Sequence, residues 1–65
     1  MDIKYFQDTD TLLINFNNNQ IVDTQNINEN VLAEFDEKGQ LVSMTIEYAR
    51  EQADIMGFSY QQVAA

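Results

Sequence analysis

The sequence predicts an α+β fold: an antiparallel β-meander of four to five strands followed by a C-terminal helix packed on the sheet. Three observations predict it. Residues 3–47 alternate apolar and polar side chains in short runs, the period of strands with one buried face. Clusters of Asp, Asn and Gly break those runs. After Glu47 the apolar spacing lengthens to a helical one. Sixty-five residues make one domain, 1–65, with an antiparallel sheet over 3–47, a helix over 48–57 and a tail or short helical turn over 58–65.

The first strand is Ile3 to Phe6. Asp8-Thr9-Asp10 supplies turn chemistry, because Asp side chains bond the backbone a residue or two further on. From Thr11 to Phe16, Leu12, Ile14 and Phe16 share one face, with Thr11, Leu13 and Asn15 on the other. Leu13 makes the second face partly apolar. Asn17-Asn18-Asn19-Gln20 reads as a turn, since Asn tolerates the left-handed backbone region. Ile21 to Ile27 is polar enough for an edge strand, and Asn28-Glu29-Asn30 ends it. Val31, Ala33 and Phe35 then alternate with Leu32 and Glu34. Asp36-Glu37-Lys38-Gly39 is a hairpin turn, with Asp at its start and Gly free to go left-handed. The returning strand, Leu41 to Glu47, sets Val42, Met44 and Ile46 against Leu41, Ser43 and Thr45. Beyond it, Ala49, Ala53 and Met56 fall at helical spacing, with Tyr48, Gln52 and Ile55 one position round. Gly57 is a candidate left-handed stop. Ser59-x-x-Gln62 has the form of a capping box and predicts a last short turn.

Composition excludes several functions. The chain has no Cys and no His, which removes disulfides, the common transition-metal clusters and the usual nucleophile–base pairs. Neither glycine lies in a phosphate-cradling motif. Asp8-Thr9-Asp10 fails as a calcium loop, because Leu12, Leu13 and Asn19 stand where an oxygen ligand, a glycine and a glutamate are needed. No enzyme, cofactor or metal site is therefore expected. Eleven Asp and Glu against three Lys and Arg give a net charge of −8. Three scattered cations cannot neutralise a run of phosphates, so direct nucleic-acid binding is not expected. The negative charge serves solubility or steers a basic partner. No apolar run approaches the roughly 18–20 residues of a membrane helix. The amino terminus lacks a secretory pattern, which leaves the cytoplasm as the expected compartment. With staples absent, self-association or docking onto a partner is the expected source of added stability.

The residues that fit partner contact are the acids Glu47, Glu51 and Asp54 and the apolar set Ile55, Met56, Phe58, Tyr60 and Val63. Aromatic residues and Met are typical interface anchors. Core is the usual place for apolar residues at helical spacing, and Ile55 and Met56 lean to core. Phe58, Tyr60 and Val63 lie beyond the helix stop, and for them core and interface stand level.

Lys4, Asp10-Thr11-Leu12-Leu13-Ile14-Asn15-Phe16, and then Val31, Phe35-Asp36, Gly39 and Leu41-Val42-Ser43-Met44-Thr45-Ile46 stand in an order and spacing with a known counterpart. Over residues 3 to 49 the chain resembles domain-of-unknown-function family 2283, the YuzE-like small proteins. It departs from the family pattern at Phe6, where an Asp is usual, at Leu13, where Tyr is frequent, and at Ser43, where Gly is usual. Ser43 implies that the backbone there tolerates a side chain. Asp10 and Gly39 match motif positions and read as turn determinants. The resemblance carries over no catalytic residue. It implies a non-enzymatic protein-binding module, the antitoxin of a small bacterial toxin–antitoxin pair that masks a basic, ribonuclease-like toxin. The alternative is a self-associating homo-oligomer with a structural role and no toxin.

Overall fold

The computed structural model describes residues 1–64. Five strands form one antiparallel sheet: β1 (Asp2–Phe6), β2 (Thr11–Asn15), β3 (Asp23–Asn28), β4 (Val31–Phe35) and β5 (Leu41–Glu47). Their order across the sheet is β1-β2-β5-β4-β3. The expected meander thus holds within β3-β4-β5 and within the β1-β2 hairpin, but β2 pairs with β5 and not with β3. The two halves are joined by 16–22, which is a crossing connection and not the tight turn that its asparagines suggested. It runs round the β4–β5 hairpin end. The Phe16 amide donates to the Val42 carbonyl (2.8 Å) and the Asn17 side-chain amide to the Leu41 carbonyl (3.1 Å). The Val22 amide donates to the Phe35 carbonyl (2.9 Å).

Registers place residues abreast in rows. Tyr5, Leu12, Ile46 and Val31 form one row, and Ile3, Ile14, Met44, Ala33 and Gln25 the next, all on one face. The other face carries Lys4, Leu13, Thr45, Leu32 and Asn26, then Asp2, Asn15, Ser43, Glu34 and Thr24. The apolar/polar alternation of the sequence is therefore a division between two faces. Ser43, buried in the middle of the polar face, donates its hydroxyl to Glu34 Oε1 (2.7 Å), which is how a side chain is accommodated there. Edge strand β3 is exposed along its whole length, as its polarity suggested, and carries a bulge between Asn26 and Asn28. A twisted, polar edge is a poor template for further pairing.

The β4–β5 turn follows its sequence signal. Asp36 Oδ1 accepts from the amides of Lys38 and Gln40 (both 2.9 Å), Oδ2 accepts from the Asn19 side chain (2.9 Å), and Gly39 sits at φ 78°.

The carboxyl-terminal part departs from the expected 48–57 helix. The α-helix is one turn, α1 (Ala49–Gln52), followed by a 3-10 turn, η1 (Ile55–Gly57). Tyr48 is left-handed at φ 53° and Ala53 is extended, so the helix is interrupted on both sides. Neither turn has a side-chain amino-terminal cap. A helix this short has little cooperative stability and depends on tertiary contacts. Gly57 ends no long helix. It lies in the 3-10 turn, close enough to the Asp54 carboxylate that a Cβ there would collide with it. Residues 58–64 form no helical turn, so the Ser59 capping box does not act as one; Ala65 lies outside the described residues.

Candidate functional site

Two surfaces stand out once the strands are in order: the apolar face of the sheet and one acidic end of it.

The apolar face is not sealed. Among its paired residues only Ala33 is buried, at 2% exposure, while Leu12, Ile14, Met44, Ile46 and Val31 are half-buried and Ile3 is 39% exposed. The buried apolar residues of the described chain are Ala33, Val42 and Ala49, all small or medium in size. The cause is geometric. Five strands at about 4.8 Å spacing make a sheet roughly 24 Å wide. One helix is only about 10–12 Å across, and here even that helix is reduced to single turns. Ile55 and Phe58 reach the β1–β2 half of the face, leaving a groove of about 230 Å³ lined also by Ile3, Leu12 and Ile14. The molecule is a slab of 35 × 33 × 18 Å.

The acidic end forms because strand order gathers residues that are distant in sequence. The β1–β2 turn, the β3–β4 turn and the end of β5 lie at the same end of the sheet. Asp8, Asp10, Glu29, Glu47, Glu51 and Asp54 are there, six of the eleven acids. All but Asp10 are exposed. Asp10 instead ties the end together. Its Oδ1 accepts from the Tyr5 hydroxyl (2.6 Å) and from the Arg50 amide (3.1 Å), and its carbonyl accepts from the Ala49 amide (3.0 Å). Arg50 Nε approaches the same carboxylate at 4.0 Å, and its guanidinium lies 5.6 Å from the Tyr5 ring centroid. Asp10 itself is left-handed, at φ 55°, a conformation that short polar side chains tolerate. The hydrogen bond given to Asp10 raises the Tyr5 hydroxyl above its usual pKa, with burial adding to it and the Arg50 charge opposing. Asp10 is thus the turn determinant that its motif position suggested, and also the anchor for α1.

The sequence-predicted contact residues fall in two groups. Glu47, Glu51 and Asp54 are brought together at the acidic end. Ile55 is half-buried against the sheet and Phe58 lines the groove while remaining 64% exposed, whereas Met56 (94% exposed), Tyr60 and Val63 project from the chain. Met56, Phe58, Tyr60 and Val63 do not form a packed core. Leu12 with Ile14, and Met44 with Ile46, were read as faces of two separate strands but not as contact residues. The signal was present: an alternating apolar face five strands wide is more than a ten-residue helix covers.

Comparison with known families matches residues 2–50 to the family described as Protein of unknown function (DUF2283). The chain belongs to that family. No curated protein and no solved structure gives a match. The DUF2283 span covers the whole sheet and ends on Arg50, at the residue whose amide closes the Asp10 clasp. Glu47 alone of the eight predicted contact residues lies within it; Glu51, Asp54 and the apolar tail set follow it. Among the described residues, no helix is long and apolar enough to cross a membrane.

Proposed function

We propose that this DUF2283 protein is a non-enzymatic protein-binding module that covers a basic partner, in the manner of an antitoxin masking a basic toxin. The observation that carries this reading is the gathering of Asp8, Glu29, Glu47, Glu51 and Asp54, all exposed, at one end of the sheet. The one arginine there leans toward Asp10 and Tyr5 while its side chain stays 64% exposed, so it offsets a single carboxylate of the group. Such a field speeds encounter with a positively charged surface and weakens as salt screens it. On a ribonuclease-like partner, these carboxylates would occupy the positions of RNA phosphates. Self-association without a toxin is the alternative, and the open apolar face favours it.

The test is co-purification of the full chain with the product of the adjacent reading frame, followed by association kinetics at low and high salt. A basic partner whose on-rate falls with salt is expected, and Glu51→Lys with Asp54→Lys should slow association further. A neighbouring product that is not basic, or that does not bind, sinks the antitoxin reading.

A further inference from the structure

The two edges of the sheet differ. β3 is bulged, whereas β1 pairs with β2 in an unbroken register from Asp2 to Phe6. The outer side of β1 is open. Asp2, Ile3, Lys4 and Phe6 are exposed, and among the described residues no backbone group outside β2 bonds to β1. A regular, open edge presents amides and carbonyls that can take up another strand. Its charges are unmatched as well. Arg50 with Asp10 is the one ion pair among the described residues, so Asp2 and Lys4 make none within the chain. They flank Ile3 and lie on the polar face of the sheet.

Antiparallel geometry leaves few ways to join two such edges. The backbone groups of β1 that turn away from β2 fall on every second residue. A two-fold pairing must therefore set some residue of β1 opposite itself. Centred on Asp2, it sets acid against acid; centred on Lys4, lysine against lysine. Centred on Tyr5, the overlap shrinks to Lys4–Phe6 and Lys4 faces Phe6. Centred on Ile3, Asp2 of each copy faces Lys4 of the other, and the pair forms twice. Opposite charges directly across two strands stabilise the pairing, and like charges weaken it.

We infer that β1 pairs antiparallel with β1 of a second copy about a two-fold axis at Ile3, joining the two sheets edge to edge. The apolar row Ala33, Met44, Ile14, Ile3 then runs on into the same row of the second copy. The acidic ends lie beyond Phe6, so the axis sends them in opposite directions and keeps them apart in a pair of chains that each carry −8. Both ends stay open to a basic partner. This goes beyond the antitoxin reading and does not depend on it.

The test uses the isolated full chain. A five-residue edge buries less than a standard interface, so sedimentation equilibrium should reach twice the 7.5 kDa chain mass between micromolar and millimolar concentration. Lys4→Asp alone, or Asp2→Lys alone, sets like charges across the axis twice and should raise the dissociation constant roughly tenfold. Asp2→Lys combined with Lys4→Asp should restore it. Both positions are exposed, so the sheet itself is not at stake. The chain has no cysteine of its own. Ile3→Cys should therefore give a disulfide-linked dimer on oxidation, while Phe6→Cys, about 20 Å from its counterpart across the axis, should not. A chain that stays monomeric to millimolar concentration overturns the inference and leaves the edge to a strand of another protein. A dimer that the double change fails to restore, or that cross-links at position 6 and not at position 3, overturns it too, because pairing then runs through another register or surface. Neither result touches the basic-partner reading, which is measured with the partner present.

Discussion

Two carboxylates, Asp36 and Asp10, do different work with similar means, and pH separates them. Asp36 is held below the usual carboxylate range, mainly by the Gln40 amide, with further help from Asn19, the Lys38 amide and the Lys38 charge, and with burial opposing. A depressed folded-state pKa contributes stability above the ordinary value of 3.8 and loses it as pH falls through the folded value. Asp10 acts through its partner. Tyr5 has a raised pKa because it donates to Asp10, so its contribution is complete below the ordinary 10.0 and is lost as pH rises through that value and beyond. Melting temperature against pH should therefore drop on both limbs. Asp36→Asn should lower the plateau and flatten the acid limb, and Tyr5→Phe should flatten the alkaline limb alone. An acid limb unchanged by Asp36→Asn would mean that another carboxylate governs it. Asn19 matters here because Asn at position 36 sets two amide groups face to face unless one of them rotates.

At the scale of elements, the strands support one another while the carboxyl-terminal segment rests lightly on them. Val42 is 2% exposed, and shortening it to Ala should cost about 2 kcal/mol. That is a large part of the roughly 3–5 kcal/mol a single core of this size supplies. Phe58→Ala with Tyr60→Ala should shift stability by no more than about 0.5 kcal/mol, as exposed positions do, yet weaken partner binding. Urea titration checks both, and a double change that melts the protein would make the tail core. The same contrast explains what could be read from residues alone. Strands with clear alternation, such as Val42 to Glu47, were legible because the period of two reports a single property, which face is buried. The Asp36 to Gly39 turn was legible because its chemistry is local. The β2–β5 pairing was not, since partner choice depends on contacts some thirty residues apart, and the asparagine-rich 16–22 segment reads alike as a turn or a crossing. The helix over 48–57 failed for a related reason. Apolar spacing implies a helix only if a surface receives the stripe, and Tyr48 is turned left-handed by the clasp that binds Ala49 and Arg50 to Asp10. The sequence offers the acids Glu47, Glu51 and Asp54 as contact candidates, but their company at one end with Asp8 and Glu29 follows from strand order.

At the scale of the whole molecule, the net charge of −8 acts with opposite signs on folding and on binding. Six acids drawn to one end repel one another in the folded chain more than in an extended one, where they are spread along the sequence. Salt screens that repulsion over a length of about 10 Å at 0.1 M, which is less than the 33–35 Å breadth of the slab. Raising ionic strength should therefore raise the melting temperature of the free chain. Against a basic partner the same screening should lower the association rate, because the field that strains the end is the field that steers the encounter. Neutralising Glu51 and Asp54 to Gln and Asn should mimic salt on both counts, giving a free chain that melts higher and a complex that forms more slowly. Circular dichroism melts and stopped-flow mixing over one salt series measure the two effects. A melting temperature that falls with salt would mean that attractive pairs such as Arg50 with Asp10 outweigh the repulsion, and that the acidic end is a settled structural element and not a stressed surface held open for a cation.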